Sequence, residues 1–130
     1  MVAKINASKV TSGMGFEKVF RNACKKEGLF FTRTDYKNNL PDFLVAGAFG
    51  QLAFLECKYY GSQKHRSWKN VVELYLKKQK KQAKAFIKLA KQAHVYFLTV
   101  STQPYEQKAR LVLIRLTHDG SWIERNVNDI

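Results

Sequence analysis

Three charged residues, Asp42, Glu56 and Lys58, stand in the otherwise almost wholly apolar run PDFLVAGAFGQLAFLECK at residues 41 to 58. Side chains on a strand alternate faces, so Glu56 and Lys58 share one face and Cys57 points to the other. With Ala48, Phe49 and Gly50 as a three-residue hairpin turn, Gly47 opposes Gln51 and the pairing carries Asp42 across from Glu56. Two carboxylates brought together repel and lose solvation unless a cation binds between them. Oxygen-only ligands favour a hard ion, Mg²⁺ or Mn²⁺. A lysine beside that ion is suited to orient a water and to offset charge on a phosphate under attack. The alternative reading of the same residues is plain: a Glu56–Lys58 surface pair on an edge strand, with Asp42 a turn residue.

The elements that must position these groups are legible in outline. TSGMGFEKVFRNACKKEG offers Thr11 or Ser12 as a cap, places Phe16, Val19, Phe20, Ala23 and Cys24 at helical spacing, and stops at Gly28. Glu17 borders that apolar stripe, where it can look past the sheet rim toward the same site as a further ligand. LFFTRTDY reads as a strand, KNNLP as a connection, and DFLVAG and QLAFLECKYY as an antiparallel hairpin. A lysine-rich helix is expected from about Val71 to Ala93, followed by strands HVYFLTVS and ARLVLIRL around the loop TQPYEQK. No pattern is evident after Gly120. The order α-β-β-β-α-β-β describes one α/β domain over residues 1–130, with residues 1–10 expected as a flexible tail.

Composition narrows the partner. The chain is 45% hydrophobic and 13% aromatic, enough for one sizeable core, yet 23 Lys and Arg against 10 Asp and Glu leave a net charge of +13. That excess points to a polyanion, with nucleic acid first and an acidic membrane surface second. No apolar stretch is long enough to span a bilayer, and MVAKINASKV lacks a signal-peptide core, so a reducing cytoplasm is the expected location, in a prokaryotic cell or a virus- or phage-infected host. Cys24 and Cys57 read as core thiols, and His65, His94 and His118 show no zinc-like spacing.

Along LYLKKQKKQAKAFIKLAKQA, Leu76, Ala83, Phe86, Ile87 and Ala90 share one face, with Gln79 near its middle and Gln82 at its edge. Lys77, Lys81, Lys84, Lys88 and Lys91 occupy the opposite face, either solvated or in contact with phosphate. Arg33 is a further phosphate candidate. The loop YYGSQKHRSWKN mixes Tyr60, Lys64, Arg66, Trp68 and Lys69, as backbone binding with stacking on exposed bases requires; Trp68 serves equally well as a core plug.

The order Glu17, Pro41-Asp42, Glu56-Cys57-Lys58 resembles the PD-(D/E)xK nuclease superfamily, and within it is most similar to the archaeal-type Holliday junction resolvases. Gly13 stands four residues before Glu17 and Lys18 just after it, and Gly28-Leu29-Phe30-Phe31-Thr32-Arg33 is similar to the strand that ends in arginine there. The resemblance spans roughly residues 12 to 100. It implies a restriction-endonuclease-like αβββαβ core, a central mixed sheet flanked by helices. It also implies metal binding by Asp42, Glu56 and the main-chain carbonyl of Cys57, with Glu17 assisting, Lys58 positioning the attacking water and Gln79 beside the metal. The implied activity is Mg²⁺-dependent cleavage of branched DNA by a homodimer in recombination and repair, with Mn²⁺ as a substitute ion. Where those enzymes often present a serine ahead of the aspartate, TDYKNNLPD offers Thr32, Thr34 or an asparagine. Two alternatives stay open: a flap or nicking nuclease with the same site, and a non-catalytic basic nucleic-acid-binding module.

Overall fold

Ser12 is extended at the head of helix α1 (Gly13–Glu27), and its hydroxyl accepts the Gly15 N–H at 2.9 Å, satisfying one of the free donors of the first turn. Gly28 ends the helix at φ 67°, a left-handed conformation open to glycine, with its N–H turned back to the Cys24 and Lys25 carbonyls. Phe16, Phe20 and Cys24 form the buried stripe of the helix.

The computed structural model describes residues 5–7, 10–34, 39–46, 50–59, 67–101 and 109–130. After α1 come β1 (Phe31–Arg33), β2 (Phe43–Ala46), β3 (Leu52–Lys58), α2 (Trp68–Lys78), α3 (Lys80–Ala90), β4 (Val95–Ser101), β5 (Arg110–Leu116), β6 (Trp122–Arg125) and a short 3₁₀ turn (Val127–Asp129). The strands form one six-stranded sheet in sequential order. Among the described residues only β3 and β4 pair parallel; the other neighbouring pairs are antiparallel. A parallel pair needs a crossover, and the α2–α3 segment supplies it. The protein is therefore α/β, with a mixed six-stranded sheet and three helices among the described residues.

Alternation along the strands divides the interior in two. Phe43, Val45, Leu55, Cys57, Leu98, Val100, Leu111 and Leu113 pack with the α1 stripe, while Val95, Phe97, Val112, Ile114 and Leu116 pack with Tyr75, Ala83, Phe86 and Ala90 of α2 and α3. Cys24 and Cys57 are both buried and free, as core thiols should be.

Three features differ from the sequence reading. The lysine-rich helix is two helices, broken at Gln79, whose φ of −122° and ψ of 52° are not helical. Six polar residues, Lys77 to Gln82, stand between the apolar anchors Leu76 and Ala83, so this stretch has no apolar side chain to set against the sheet. Ile5, Ala7 and Val10, in the segment expected as a tail, are buried in the cluster beneath α1. And β6 adds an edge strand where no pattern was evident, its residues half-buried to exposed.

Candidate active site

The hairpin of β2 and β3 is in the expected register: Phe43 pairs with Leu55, which puts Asp42 and Glu56 at neighbouring positions just beyond. The Asp42 N–H donates to Glu56 Oε1 at 2.9 Å, and the Cys57 N–H donates to Asp42 Oδ2 at 3.1 Å. Lys58 Nζ lies 3.3 Å from Glu56 Oε2. The expected convergence of the three charges is thus realised by reciprocal bonds in which each carboxylate is gripped by the backbone of the opposite strand. Thr34 braces the approach: its hydroxyl donates to the Pro41 carbonyl and its N–H to the Asp42 carbonyl at 3.0 Å. Of the candidates for the loop hydroxyl, Thr34 is the one seated beside Asp42, whereas Thr32 lies two residues back along β1 in register with Leu44.

This arrangement carries surplus negative charge. Glu56 is 3% exposed, and burial pushes its carboxyl above the ordinary range while Lys58 opposes the shift. Asp42 is pushed up to about 8, first by burial and then by the charges of Glu56 and Glu17. On the far side of β3, the buried Cys57 thiol is pushed well above its ordinary value by burial and by these same carboxylates.

An oxygen-only, over-charged pair of carboxyls fits a hard divalent cation. Among the described residues no group of three or more His, Cys, Asp and Glu side chains is placed to hold one. The pair alone therefore fits an ion that keeps several of its waters and completes its shell with main-chain or substrate oxygens, as Mg²⁺ does.

Glu17 contributes charge to the site but is committed elsewhere, since Arg33 Nη2 donates to its Oε2 at 3.1 Å. Arg33 also lies over the Phe43 ring, 5.5 Å from its centroid, and its side chain stays half exposed. Gln79 is a correction: expected on a buried helix face, it is exposed at the break between α2 and α3. Gln82, read as the stripe's edge, is half-buried, and its Oε1 is buried with no hydrogen-bond partner among the described residues. Lys69, Lys77, Lys81, Lys84, Lys88 and Lys91 are exposed. Asn39 and Leu40, just ahead of Asp42, border a cavity of about 260 Å³ with Ala85, Lys88, Leu89 and Gln92, so the lysine helix and the aspartate loop meet. Trp68 is partly buried against the α2–α3 cluster, with Lys69 Nζ 5.9 Å from its ring centroid, which favours the core-plug reading. Tyr60, Lys64 and Arg66 lie outside the described residues.

Two neighbours of the site went unnoticed in the sequence. The Tyr75 ring lies beneath Lys58, with Nζ 5.3 Å from its centroid. In VVELY it falls at helical spacing with Val71 and Val72 and so reads only as core. Thr99, the register partner of Lys58 in β4, is fully buried with no partner for its hydroxyl among the described residues.

No family model, curated protein or solved structure matches the chain. Among the described residues no helix is long and apolar enough to cross a membrane.

Proposed function

We propose that the protein is a Mg²⁺-dependent DNA endonuclease with a restriction-endonuclease-like core, acting on four-way junctions. The observation that carries this reading is the seating of Asp42, Glu56 and Lys58 on one another at the end of β2 and β3, with Glu56 buried. The order α1, β1, β2, β3, α2–α3, β4 fits the αβββαβ core of the enzymes that the sequence resembles.

Asp42 and Glu56, with the main-chain carbonyl of Cys57, would hold the ion. When bound, Mg²⁺ supplies charge stabilisation for the phosphate and lowers the proton affinity of a water. The chain's own residues do the rest. Backbone N–H groups from the opposite strand fix each carboxyl, so neither needs to reorganise as the reaction proceeds. Lys58 sets an ammonium at the rim of the pair, where it orients the attacking water and offsets charge as that water adds to phosphorus and one P–O ester bond breaks. Arg33, held by Glu17, and the exposed lysines of α2 and α3 bind the DNA backbone and supply most of the affinity.

Resolution into two duplexes requires paired cuts on opposed strands, which two copies of a one-site chain provide most simply. A homodimer is therefore part of the proposal. Its contact is to be sought away from β4, β5 and Trp122: both strands are internal to the sheet, and Trp122 packs on Tyr75 and Phe97.

The test is cleavage of labelled four-way junctions, flaps and linear duplex by wild type, Asp42→Asn and Glu56→Gln in Mg²⁺ and in chelator. Cutting by wild type in Mg²⁺ alone, strongest on the junction, is expected. A second reading is favoured by the pairing of Glu56 with Lys58 and of Glu17 with Arg33, which satisfies these acids within the fold. A basic nucleic-acid-binding module would bind all three substrates and cut none.

A further inference from the structure

We propose that Tyr75 is a positioning residue for Lys58, its ring face forming the platform on which the ammonium rests while it serves the reaction. The inference rests on the nuclease reading of the Asp42–Glu56–Lys58 site and extends it to a residue from a different element.

Lys58 has a long, flexible side chain, and holding its ammonium in one place costs rotamer entropy. Among the described residues two contacts hold it: Glu56 Oε2 at 3.3 Å and the Tyr75 ring, whose centroid is 5.3 Å from Nζ. They differ in kind. Glu56 is also a metal ligand in the proposed site, and a carboxylate that binds a divalent ion has less negative charge to offer the ammonium. The Tyr75 face carries no net charge and has no such second duty. Its attraction for the ammonium, through the ring quadrupole, is strongest where water is excluded, and the Lys58 side chain is only 19% exposed.

The platform is also rigid. Tyr75 is fully buried and packs edge-on to Phe97 with ring centroids 4.6 Å apart, stacks on Phe86 at 6.2 Å, and meets Trp122 at 6.3 Å. Phe97 is the register partner of Glu56 in β4, so the ring beneath Lys58 and the carboxylate beside it are referenced to the same point of the sheet. A flexible side-chain end is thereby held between two buried groups packed on the same part of the sheet. Attraction of this kind is strong at a desolvated site, so losing the ring face should slow turnover about tenfold, equivalent to ~1.4 kcal/mol.

The experiment has two arms. In metal-free protein carrying ¹³Cε-lysine, the Lys58 ε-methylene protons, assigned through Lys58→Arg, should lie upfield of the other lysines because of the Tyr75 ring current. Tyr75→Phe should keep that shift, and Tyr75→Leu should lose it. In the cleavage arm Tyr75→Phe should stay within about threefold of wild type, whereas Tyr75→Leu should lose about tenfold in turnover with junction affinity unchanged. The wild-type spectrum needs no variant to fold: an unshifted Lys58 resonance would overturn the proposal by itself. Normal turnover in Tyr75→Leu, or an equal loss in Tyr75→Phe, would overturn it too. A shifted Lys58 resonance in a wild-type protein that binds junctions and never cuts them would instead strike down the nuclease reading, and the positioning role with it.

Discussion

Replacing Asp42 by Asn should make the metal-free protein more stable at pH 8, although the same change should end its activity. Asp42 is raised from an ordinary 3.8 to about 8 by burial and by the charges of Glu56 and Glu17. The folded state therefore binds a proton that the unfolded chain has already released between these values, and stability falls as pH rises through that window. A pKa raised this far is a ~10⁴-fold penalty on ionisation, a ceiling of ~6 kcal/mol at ~1.4 kcal/mol per tenfold. A proton shared with Glu56 and residual solvent contact at Asp42 bring the expected effect to about 2–3 kcal/mol. Asparagine keeps an oxygen for the Cys57 N–H and discards the charge. Urea unfolding in chelator should therefore show Asp42→Asn more stable than wild type by about 2–3 kcal/mol at pH 8, with the difference shrinking as pH falls and closing only below the ordinary value of 3.8, where Asp42 is protonated in both states. Millimolar Mg²⁺ at pH 8 should stabilise wild type and leave the variant unmoved. A variant no more stable than wild type at pH 8 in chelator would refute the charge-surplus argument.

Other outcomes follow from the same geometry. Glu56→Gln and Lys58→Ala should each lower the cleavage rate about 10²–10³-fold in single-turnover assays while leaving junction affinity within a few-fold, because the lysine surface supplies most of the binding. Removing Lys84 and Lys88 together should flatten the dependence of log affinity on log salt by up to about 2, as read by titration at several salt concentrations. Thr99→Val replaces a buried hydroxyl that has no partner among the described residues, and urea unfolding should find it more stable by about 1 kcal/mol.

The parts of the fold that were legible in the sequence are those governed by a single local cause. Ser12 and Gly28 bracket α1 because a side-chain oxygen and a left-handed glycine each answer the free groups of a helix end. The β2–β3 register agrees with the short connection read from the sequence, Gly50 has φ 77°, and with the register comes the meeting of Asp42 and Glu56. The misread parts depend on contacts between distant segments. A 3.6-residue count runs through Gln79 without interruption, although the missing apolar anchor lets the chain break there. Ile5, Ala7 and Val10 have no regular period, so their burial under α1 had no local sign. Trp122 is drawn into β6 by Tyr75 and Phe97, partners 47 and 25 residues away by subtraction. Tyr75 itself looked like core and is core; its place beneath Lys58 depends on how α2 is laid over β3 and β4.

The central claim is that Asp42, Glu56 and Lys58 form a metal-dependent nuclease site. The most direct measurement is to incubate wild-type protein with a four-way junction labelled in turn on each strand, with Mg²⁺ and with chelator, and to map every cut. The expected result is Mg²⁺-dependent cleavage at symmetric positions on two opposed strands, absent in chelator and absent with Asp42→Asn. Tight binding of the junction with all four strands left intact in Mg²⁺ and in Mn²⁺ would contradict the account and leave a basic nucleic-acid-binding protein in its place.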